Sequence, residues 1–278
     1  MKGKLACILS LICCLASSCH HDETESKPDK QKLTINVDDI SFEMVYVEGD
    51  TFTMGADTVL DKDFWGDEIP NHKVVLSDYY IGKLEVTQAL WKKVLGTIPS
   101  ENFKGSGKSD SYPVEKVSWE DCQKFIAKLN EKTKKNFELP TEAQWEFAAR
   151  GGKKSQSYKF SGGDGMKTVG WCDENSEDET HQTGKKKANE LGIFDMSGNV
   201  REWCSDWYAE YDDTLQIDPE GPLIPHRGDS VRVARGGSFS DPPSYCRTSF
   251  RQKSLPSSKM NYVGLRLVLM ADQVEASK

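Results

Sequence analysis

The chain of 278 residues is 37% hydrophobic and 10% aromatic, which is enough to bury one sizeable core. Lysine and arginine number 36 against 44 aspartate and glutamate residues, giving a formal net charge of −8 at pH 7. Because no basic patch or stripe interrupts this acidic balance, we expect no nucleic-acid partner.

The first 18 residues have the three parts of a signal peptide. Lys2 and Lys4 precede an apolar run over residues 5–15, and small residues follow at 16–18. The run is too short to span a membrane stably. The small residues before Cys19 resemble a bacterial lipobox, which implies that Cys19 becomes the lipidated first residue of the mature chain. The alternative is ordinary secretion with cleavage nearby.

Residues 19–39 form the expected tether between that lipid and a folded domain. Residues 20–32 carry acidic groups and lysines but no aromatic residue, so they should stay solvated. We expect the domain to span residues 40–272 and a short tail to follow over 273–278. The membrane is then a partner through the lipid anchor. The expected location is the cell envelope, on the periplasmic or cell-surface side of the outer membrane.

The domain should begin with short strands. Alternating apolar residues over 42–46 and the turn residues Gly49 and Asp50 predict a β-hairpin that continues into residues 51–54. Further short strands are predicted over 73–76, 79–81, 247–251 and 264–269.

Three helices are predicted, each opened by a hydroxyl residue that can cap it: Thr87, Ser118 and Thr141. The apolar residues of the second helix are Cys122, Phe125, Ile126 and Leu129. Their spacing of i, i+3, i+4 and i+7 places that face in the core. Irregular backbone exceeds regular structure elsewhere, so the predicted fold class is mixed α/β (α+β) with much irregular coil.

Eight cysteines divide into four near the start and four in the domain, the latter being Cys122, Cys172, Cys204 and Cys246. The four in the domain could form two disulfides in an oxidising compartment, but their pairing cannot be deduced from sequence. No Cys-x-x-Cys or His-x-x-x-His spacing occurs, so a zinc site is poorly supported.

Residues 189–208 concentrate turn-forming and aromatic residues. Gly198 and Asn199 tolerate backbone angles closed to most residues, and large aromatic side chains flank them. We therefore expect a tight turn locked in an aromatic core. Within it, Asp195 and Glu202 supply hard oxygen ligands of the kind that calcium prefers. Alternatively, Asp195 caps a turn and Glu202 makes a surface ion pair.

Residues 192–203, Gly-Ile-Phe-Asp-Met-Ser-Gly-Asn-Val-Arg-Glu-Trp, closely resemble the signature of the formylglycine-generating enzymes, also called sulfatase-modifying factors. Other blocks in the family's order lie at 52–55, 68–76, 79–87, 113–119, 139–152, 235–239 and 264–267. Together they span nearly all of residues 42–270. The resemblance implies the fold of that family, which is similar to that of C-type lectins.

In catalytic members of the family, two cysteines five residues apart bind copper(I) and activate oxygen, converting a substrate cysteine into formylglycine. The resemblance places the second of them on Cys246 and the first on Asp241. A hard carboxylate is a poor ligand for a soft ion, so copper is doubtful here. Cys246 is then either a surviving active-site thiol or a residual, half-buried cysteine on a strand.

The resemblance also implies a structural calcium ion. Its ligands would be the side chains of Asp195 and Glu202 and the backbone oxygens of Gly198 and Val200. Such an ion would be structural and would tie the central turn to the core. Its presence would not be evidence of catalysis.

Two functions remain open. The first is a lipoprotein that lacks the complete copper site and uses the domain as a binding or scaffold module for an exported protein or a glycan. Its contact surface would be formed by loops 57–67, 153–187 and 209–230. The alternative is a formylglycine-generating oxidase acting on exported sulfatases, which the similarity and Cys246 support and Asp241 opposes.

Overall fold

The computed structural model of the chain describes residues 32–100, 110–225 and 230–275. The predicted signal peptide, Cys19, most of the tether and the end of the predicted tail lie outside the described residues. In the described part of the chain, no helix is long and apolar enough to cross a membrane.

The described ranges form short strands and helices joined by long irregular segments. The strands are β1 (Lys32–Val37), β2 (Ile40–Val47), β3 (Thr51–Met54), β4 (His72–Val75), β5 (Tyr79–Gly82), β6 (Arg201–Trp207), β7 (Gln216–Ile217), β8 (Arg232–Arg235), β9 (Arg251–Ser254), β10 (Val263–Leu265) and β11 (Val268–Met270). The α-helices are α1 (Gln88–Leu95), α2 (Trp119–Thr133), α3 (Glu142–Ala149), α4 (Met166–Val169) and α5 (Ala271–Glu275). This composition confirms the predicted mixed class with much coil.

The strands pair into three sheets, with the orders β1-β2-β5-β11, β10-β6-β8-β9 and β3-β4-β7. β10 runs parallel to β6, and β7 runs parallel to β4. The first sheet is antiparallel throughout. Strands distant in sequence therefore meet in every sheet, and their long connections supply the loops that cover the domain.

Both faces of the first sheet are buried. Neighbouring side chains of a strand point to opposite faces of the sheet, so each strand contributes to two cores. Val45 of β2 pairs with Ile81 of β5, and both pack in the core that contains Trp145 of α3. Met44 and Tyr80, one residue before each, pack in a second core with α1 and α2. The sheet thus separates two cores and positions α3 opposite the other two helices.

The three predicted helices are confirmed. The Thr87 hydroxyl accepts a hydrogen bond from the first turn of α1, and Ser118 and Thr141 each form a capping box. Trp91 of α1 stacks on Phe125 of α2 with ring centroids 4.8 Å apart. The amphipathic spacing therefore identified the buried face of α2 correctly.

The predicted hairpin is wrong. β2 pairs with β1 and β5, whereas β3 pairs with β4. At the turn between β2 and β3, the backbone of Gly49 lies against Leu76, and a β-carbon on Gly49 would be 2.1 Å from the Leu76 carbonyl oxygen. Gly49 therefore permits a close approach between two segments instead of reversing the chain within one hairpin.

The predicted start of the domain at residue 40 is also wrong. Strand β1 lies in the segment predicted to be tether, and it pairs along its whole length with β2. Ile35 and Val37 are buried in the core with α1 and α2. The folded domain therefore includes residues 32–39, where alternating apolar residues pack on the core although the segment is rich in polar groups.

A third correction concerns residues 247–251, which were predicted to be a strand. A 3-10 turn covers Pro243–Cys246, and β9 begins only at Arg251. The Arg247 side chain is buried and bound to acidic groups of another loop, which fixes this segment in an irregular path. Cys246 consequently lies in a turn and not on a strand.

Candidate functional site

The turn around Gly198 is held by backbone hydrogen bonds on two sides. Gly198 N donates to the Gly236 carbonyl at 2.8 Å, and Asn199 N donates to the Trp171 carbonyl at 2.9 Å. A β-carbon on Gly198 would lie 2.0 Å from that same Trp171 oxygen, and the φ of Gly198 is +83°. Only glycine fits this position. The two hydrogen bonds show that the turn joins the segments of Trp171 and Gly236, which are distant in sequence.

Glu202 on β6 is buried, and the chain compensates its charge. Arg266 Nη2 donates to Glu202 Oε1 at 2.6 Å, and Arg266 Nε donates to Oε2 at 2.9 Å. Trp145 Nε1 also donates to Oε2, at 2.6 Å. The expected alternative of a surface ion pair is therefore corrected to a buried one, in which both carboxylate oxygens are engaged.

Two further carboxyl groups lie near this pair. Asp195 accepts a hydrogen bond from Gly184 N through Oδ2 at 2.6 Å, whereas its Oδ1 is buried and has no hydrogen-bond partner among the described residues. Burial raises the pKa of Asp195 to about 6. Burial also raises the pKa of Glu85 well above its usual value, and the charges of Asp195 and Glu202 add to this effect.

The residues proposed to bind calcium do not fit an ion as they are arranged. Glu202 would have to leave Arg266 and Trp145 before it could bind a metal. Of the side-chain oxygens in the set, only Asp195 Oδ1 is without a partner among the described residues. In the same residues, no group of three or more His, Cys, Asp or Glu side chains is placed to hold a metal ion. Calcium binding stays a prediction, and this geometry opposes it.

Asp241 stands where the resemblance places the first copper cysteine. It is buried, and Arg201 donates to it through Nε at 2.8 Å and also through Nη2. The Ser238 hydroxyl donates to Asp241 Oδ2 at 2.6 Å. This carboxylate therefore has a bidentate arginine partner and a hydroxyl donor, which is the environment of a structural ion pair.

Cys246 is fully buried in a small apolar cluster with Phe160, Met166 and Val169. Burial raises the pKa of its thiol well above the usual value, and the charge of Asp241 raises it further. Gly237 lies against it so closely that a β-carbon there would be 2.6 Å from Cys246 Sγ. The thiol is therefore enclosed, and with Asp241 at the other position the chain offers one thiol where a copper(I) site needs two.

The structure brings one further cysteine into the same cluster, which the sequence reasoning did not connect with Cys246. Cys172 packs there because Asp173 N donates to the Asp241 carbonyl at 3.0 Å, joining two segments far apart in the chain. No local motif indicates this contact. All four cysteines in the described ranges are free and buried.

Two of the three loops expected to form a contact surface meet at a groove of about 810 Å³. Its walls come from residues 57–63 and from residues 150–164. The lining includes Leu60, Tyr158 and Lys159, and it mixes aromatic, aliphatic, acidic and basic side chains. The described residues of the third loop do not line this groove, and several of them line a different cavity.

Ion pairs of arginine and lysine side chains fix the positions of the two walls of the groove. Arg247 donates through Nη1 to Asp61 at 2.6 Å, and it binds Glu68 through both terminal nitrogens. Lys159, on the opposite wall, donates to Asp63 at 2.6 Å. Because these contacts join the two loops to each other and to the core, the groove is preformed.

Comparison with known proteins gives a consistent result over the whole domain. Residues 32–271 match the family profile described as a sulfatase-modifying factor enzyme 1-like domain. Chaperone protein LppX from Paenibacillus barcinonensis is 33% identical over 82% of this chain and 90% of its own length. A formylglycine-generating enzyme from Streptomyces coelicolor is 33% identical over 60% of this chain, which spans about half (55%) of that enzyme's length.

Solved structures show the same fold. Treponema denticola variable protein 1 is 31% identical, with a TM-score of 0.76, and the match covers 86% of this chain and 99% of that protein. PvdO from Pseudomonas aeruginosa is 22% identical, with a TM-score of 0.68, and the match covers 86% of this chain and 98% of that protein. At 22% identity, the similarity to PvdO supports the fold and no statement about function.

Proposed function

Because the chain belongs to the sulfatase-modifying factor family, we propose that it uses this fold as a binding module and lacks the family's copper chemistry. The observation that carries the proposal is the state of the copper position. Asp241 is paired with Arg201 and Ser238, and Cys246 is a buried thiol. A soft metal would find one enclosed thiol in place of the two thiolates it needs.

The ligand we propose is an exported protein, bound in the groove between residues 57–63 and 150–164. Two observations support this choice. The similarity to a protein named as a chaperone extends over 82% of the chain. The groove carries the exposed Leu60 beside charged residues of both signs, a surface that suits an extended polypeptide. A glycan is the competing ligand.

The proposal includes a lipid anchor at Cys19 and a location in the cell envelope, on the periplasmic or cell-surface side of the outer membrane. Its support is the sequence of the first 19 residues, with its charged start, apolar run and small residues before the cysteine. Metabolic labelling with a fatty-acid analogue tests it, since Cys19→Ser should abolish incorporation.

The second candidate is a formylglycine-generating oxidase, favoured by the identity to such enzymes. Mass spectrometry of a Cys-x-Pro-x-Arg peptide incubated with the protein, copper(I), oxygen and reductant separates the two. We expect no conversion by the native protein. Formylglycine that disappears in the Cys246→Ser variant would overturn the binding-module proposal.

Binding is tested with peptides tiled from exported proteins and, in parallel, a glycan array. We expect peptide binding that is lost in Leu60→Asp, which places a charge on the groove wall. Leu255→Asp is the matched control, since Leu255 is also exposed but lies outside the groove. Glycan binding that depends on Leu60, with no peptide binding, would replace the proposed ligand class.

A further inference from the structure

The four buried cysteines are distributed over three separate clusters of buried side chains. Cys122 packs in the core with α1 and α2, and Cys204 packs in the core on the other side of the first sheet, with α3. Cys172 and Cys246 lie together in a third cluster of five apolar residues. They are therefore the only two cysteines in the described part of the chain that share a cluster, although they are far apart in sequence.

Hydrogen bonds fix the two segments that carry these cysteines against each other. Asp173, directly after Cys172, donates through its backbone N–H to the Asp241 carbonyl at 3.0 Å. The Ser176 hydroxyl donates to the Phe239 carbonyl at 2.7 Å. The backbones are thus held together on both sides of the cluster. A covalent bond between the two thiols would reinforce an arrangement that already exists.

The two thiols are close enough to affect each other's ionisation. Burial is the main cause that raises the pKa of Cys246, and the charges of Asp241 and Cys172 raise it further. Burial also raises the pKa of Cys172. Gly237 leaves the space that Cys246 occupies, since a β-carbon there would lie 2.6 Å from Cys246 Sγ. The position of the Cys246 sulfur is therefore fixed, within the electrostatic range of a second thiol.

The chemistry of the cluster favours a neutral product. The other members are Phe160, Met166 and Val169, which offer no positive charge. A copper(I) ion held by two thiolates would carry a net negative charge into these apolar surroundings, which is costly. A disulfide carries no charge and no hydrogen-bond donor, so it can be buried there without a partner.

We propose that Cys172 and Cys246 form a disulfide in the mature protein. The two thiols react with the disulfide of an oxidant such as oxidised glutathione. One S–S bond forms between the cysteines, the S–S bond of the oxidant breaks, and the two protons and two electrons end on its sulfur atoms. This inference rests on the proposed envelope location, because cytosolic thiols are kept reduced.

The burial of both thiols determines when the bond can form and break. Exchange needs an accessible thiolate, and the closed cluster provides neither access nor a low pKa. The bond therefore forms while the domain folds, and afterwards it resists reductants. It also consumes Cys246, so the copper position retains no free thiol.

Oxidative refolding followed by peptide mapping tests the pairing on the native sequence. The reduced, denatured protein is refolded with oxidised and reduced glutathione, alkylated in denaturant and digested with trypsin without reduction. We expect mass spectrometry to find residues 168–185 linked to residues 236–247, with a mass two hydrogens below the sum of the two peptides. Cys122 and Cys204 should be recovered as alkylated thiols.

Thermal unfolding of oxidised and reduced samples tests the bond's contribution to stability. The oxidised native protein should melt about 5–10 °C above the reduced protein, because the bond restricts the unfolded chain. In Cys172→Ala this difference should vanish. The double variant Cys122→Ala with Cys204→Ala is the matched control, since it replaces the other two buried cysteines and should keep the difference.

The state of the bond in cells is measured by quenching with acid and alkylating the full chain in denaturant. We expect two alkylated cysteines in the domain and the same linked peptide. A bond that forms on refolding but is absent from cells would overturn the disulfide in the mature protein together with the envelope location. The binding-module proposal would be unaffected, because it depends on the groove.

Other outcomes overturn the pairing itself. Four free thiols after oxidative refolding, or a bond that includes Cys122 or Cys204, would each do so. Tight binding of one copper(I) ion that protects Cys172 and Cys246 from alkylation, in a protein that stays reduced on refolding, would replace the disulfide with a metal site. That last result would also contradict the proposed absence of copper chemistry.

Discussion

Glu202 and Asp206 lie on the same strand, β6, and both are buried, yet their carboxylates have opposite surroundings. Both oxygens of Glu202 are bound by Arg266 and Trp145. Among the described residues, Asp206 has hydrogen-bond donors for Oδ2 alone, and the nearby Arg251 is bound to Glu142. A buried charge that its own chain compensates stabilises the fold, whereas a buried carboxylate without a cation lowers stability when it ionises.

The largest effect should follow from breaking the compensated site. Arg266→Met leaves Glu202 buried without its cation, beside Glu85 and Asp195. We expect the free energy of unfolding to fall by about 3–5 kcal/mol, the usual cost of removing one partner of a buried ion pair. Urea denaturation measures it.

The control is the double variant Arg266→Met with Glu202→Gln, which removes both charges. It should recover part of the lost stability, because the amide needs no cation. If the single and double variants were equally stable, the loss would come from packing and hydrogen bonds of Arg266 and not from the charge of Glu202.

At Asp206 the effect should depend on pH. Burial, aided by the charge of Glu142, raises the pKa of Asp206 to about 7. The unfolded chain ionises Asp206 near its usual pKa of 3.8, so this group's stabilisation is complete below that pH and declines as pH rises to about 7. Asp206→Asn lacks this decline. Relative to the native protein, it should gain on the order of 3 kcal/mol between pH 5 and pH 8.

Denaturation at these two pH values measures the gain, and Asp173→Asn serves as the control because Asp173 is exposed. A constant difference between native protein and Asp206→Asn at both pH values would mean that Asp206 is ionised across the range. The contrast with Glu202 would then disappear.

Arg201→Met should have a smaller effect than Arg266→Met. It leaves Asp241 without its arginine, but the Ser238 hydroxyl remains and the pair lies nearer to solvent, with Arg201 12% exposed. We expect a loss of about 1–3 kcal/mol in the free energy of unfolding. A loss as large as that of Arg266→Met would show that Asp241 is as dependent on its partner as Glu202.

Calcium should have the smallest effect. Because Arg266 already neutralises Glu202, addition of calcium or of a chelator should change the melting temperature by less than about 1 °C. A rise of several degrees with calcium that disappears in Asp195→Asn would contradict this expectation and restore the set of Asp195, Gly198, Val200 and Glu202.

The features predicted correctly from the sequence are those determined by residues that are close together in the chain. The hydroxyl caps at Thr87, Ser118 and Thr141 and the apolar spacing of α2 located three helices, and the motif around Gly198 located the central turn. The family resemblance supplied the fold. These features depend on neighbours in sequence or on a whole motif, so one chain is enough to identify them.

The remaining features depend on distant contacts. The sequence left a surface ion pair open as the alternative for Glu202, because its partner Arg266 lies 64 residues away and no local pattern connects the two. Cys172 lies near Cys246 because two distant segments are joined by hydrogen bonds such as those from Asp173 to Asp241 and from Ser176 to Phe239. Short charged or polar stretches give no periodic signal that reveals such pairings, and the same limit explains the wrong partner assigned to β2.

The order in which the chain becomes available constrains how the domain can assemble. β10 and β11 complete two of the sheets, and Arg266, which neutralises the centre of the domain, lies between them. A chain that emerges N-terminus first therefore carries an unneutralised Glu202 until residue 266 is free. Truncation before residue 263 therefore removes both closing strands and the buried guanidinium at once.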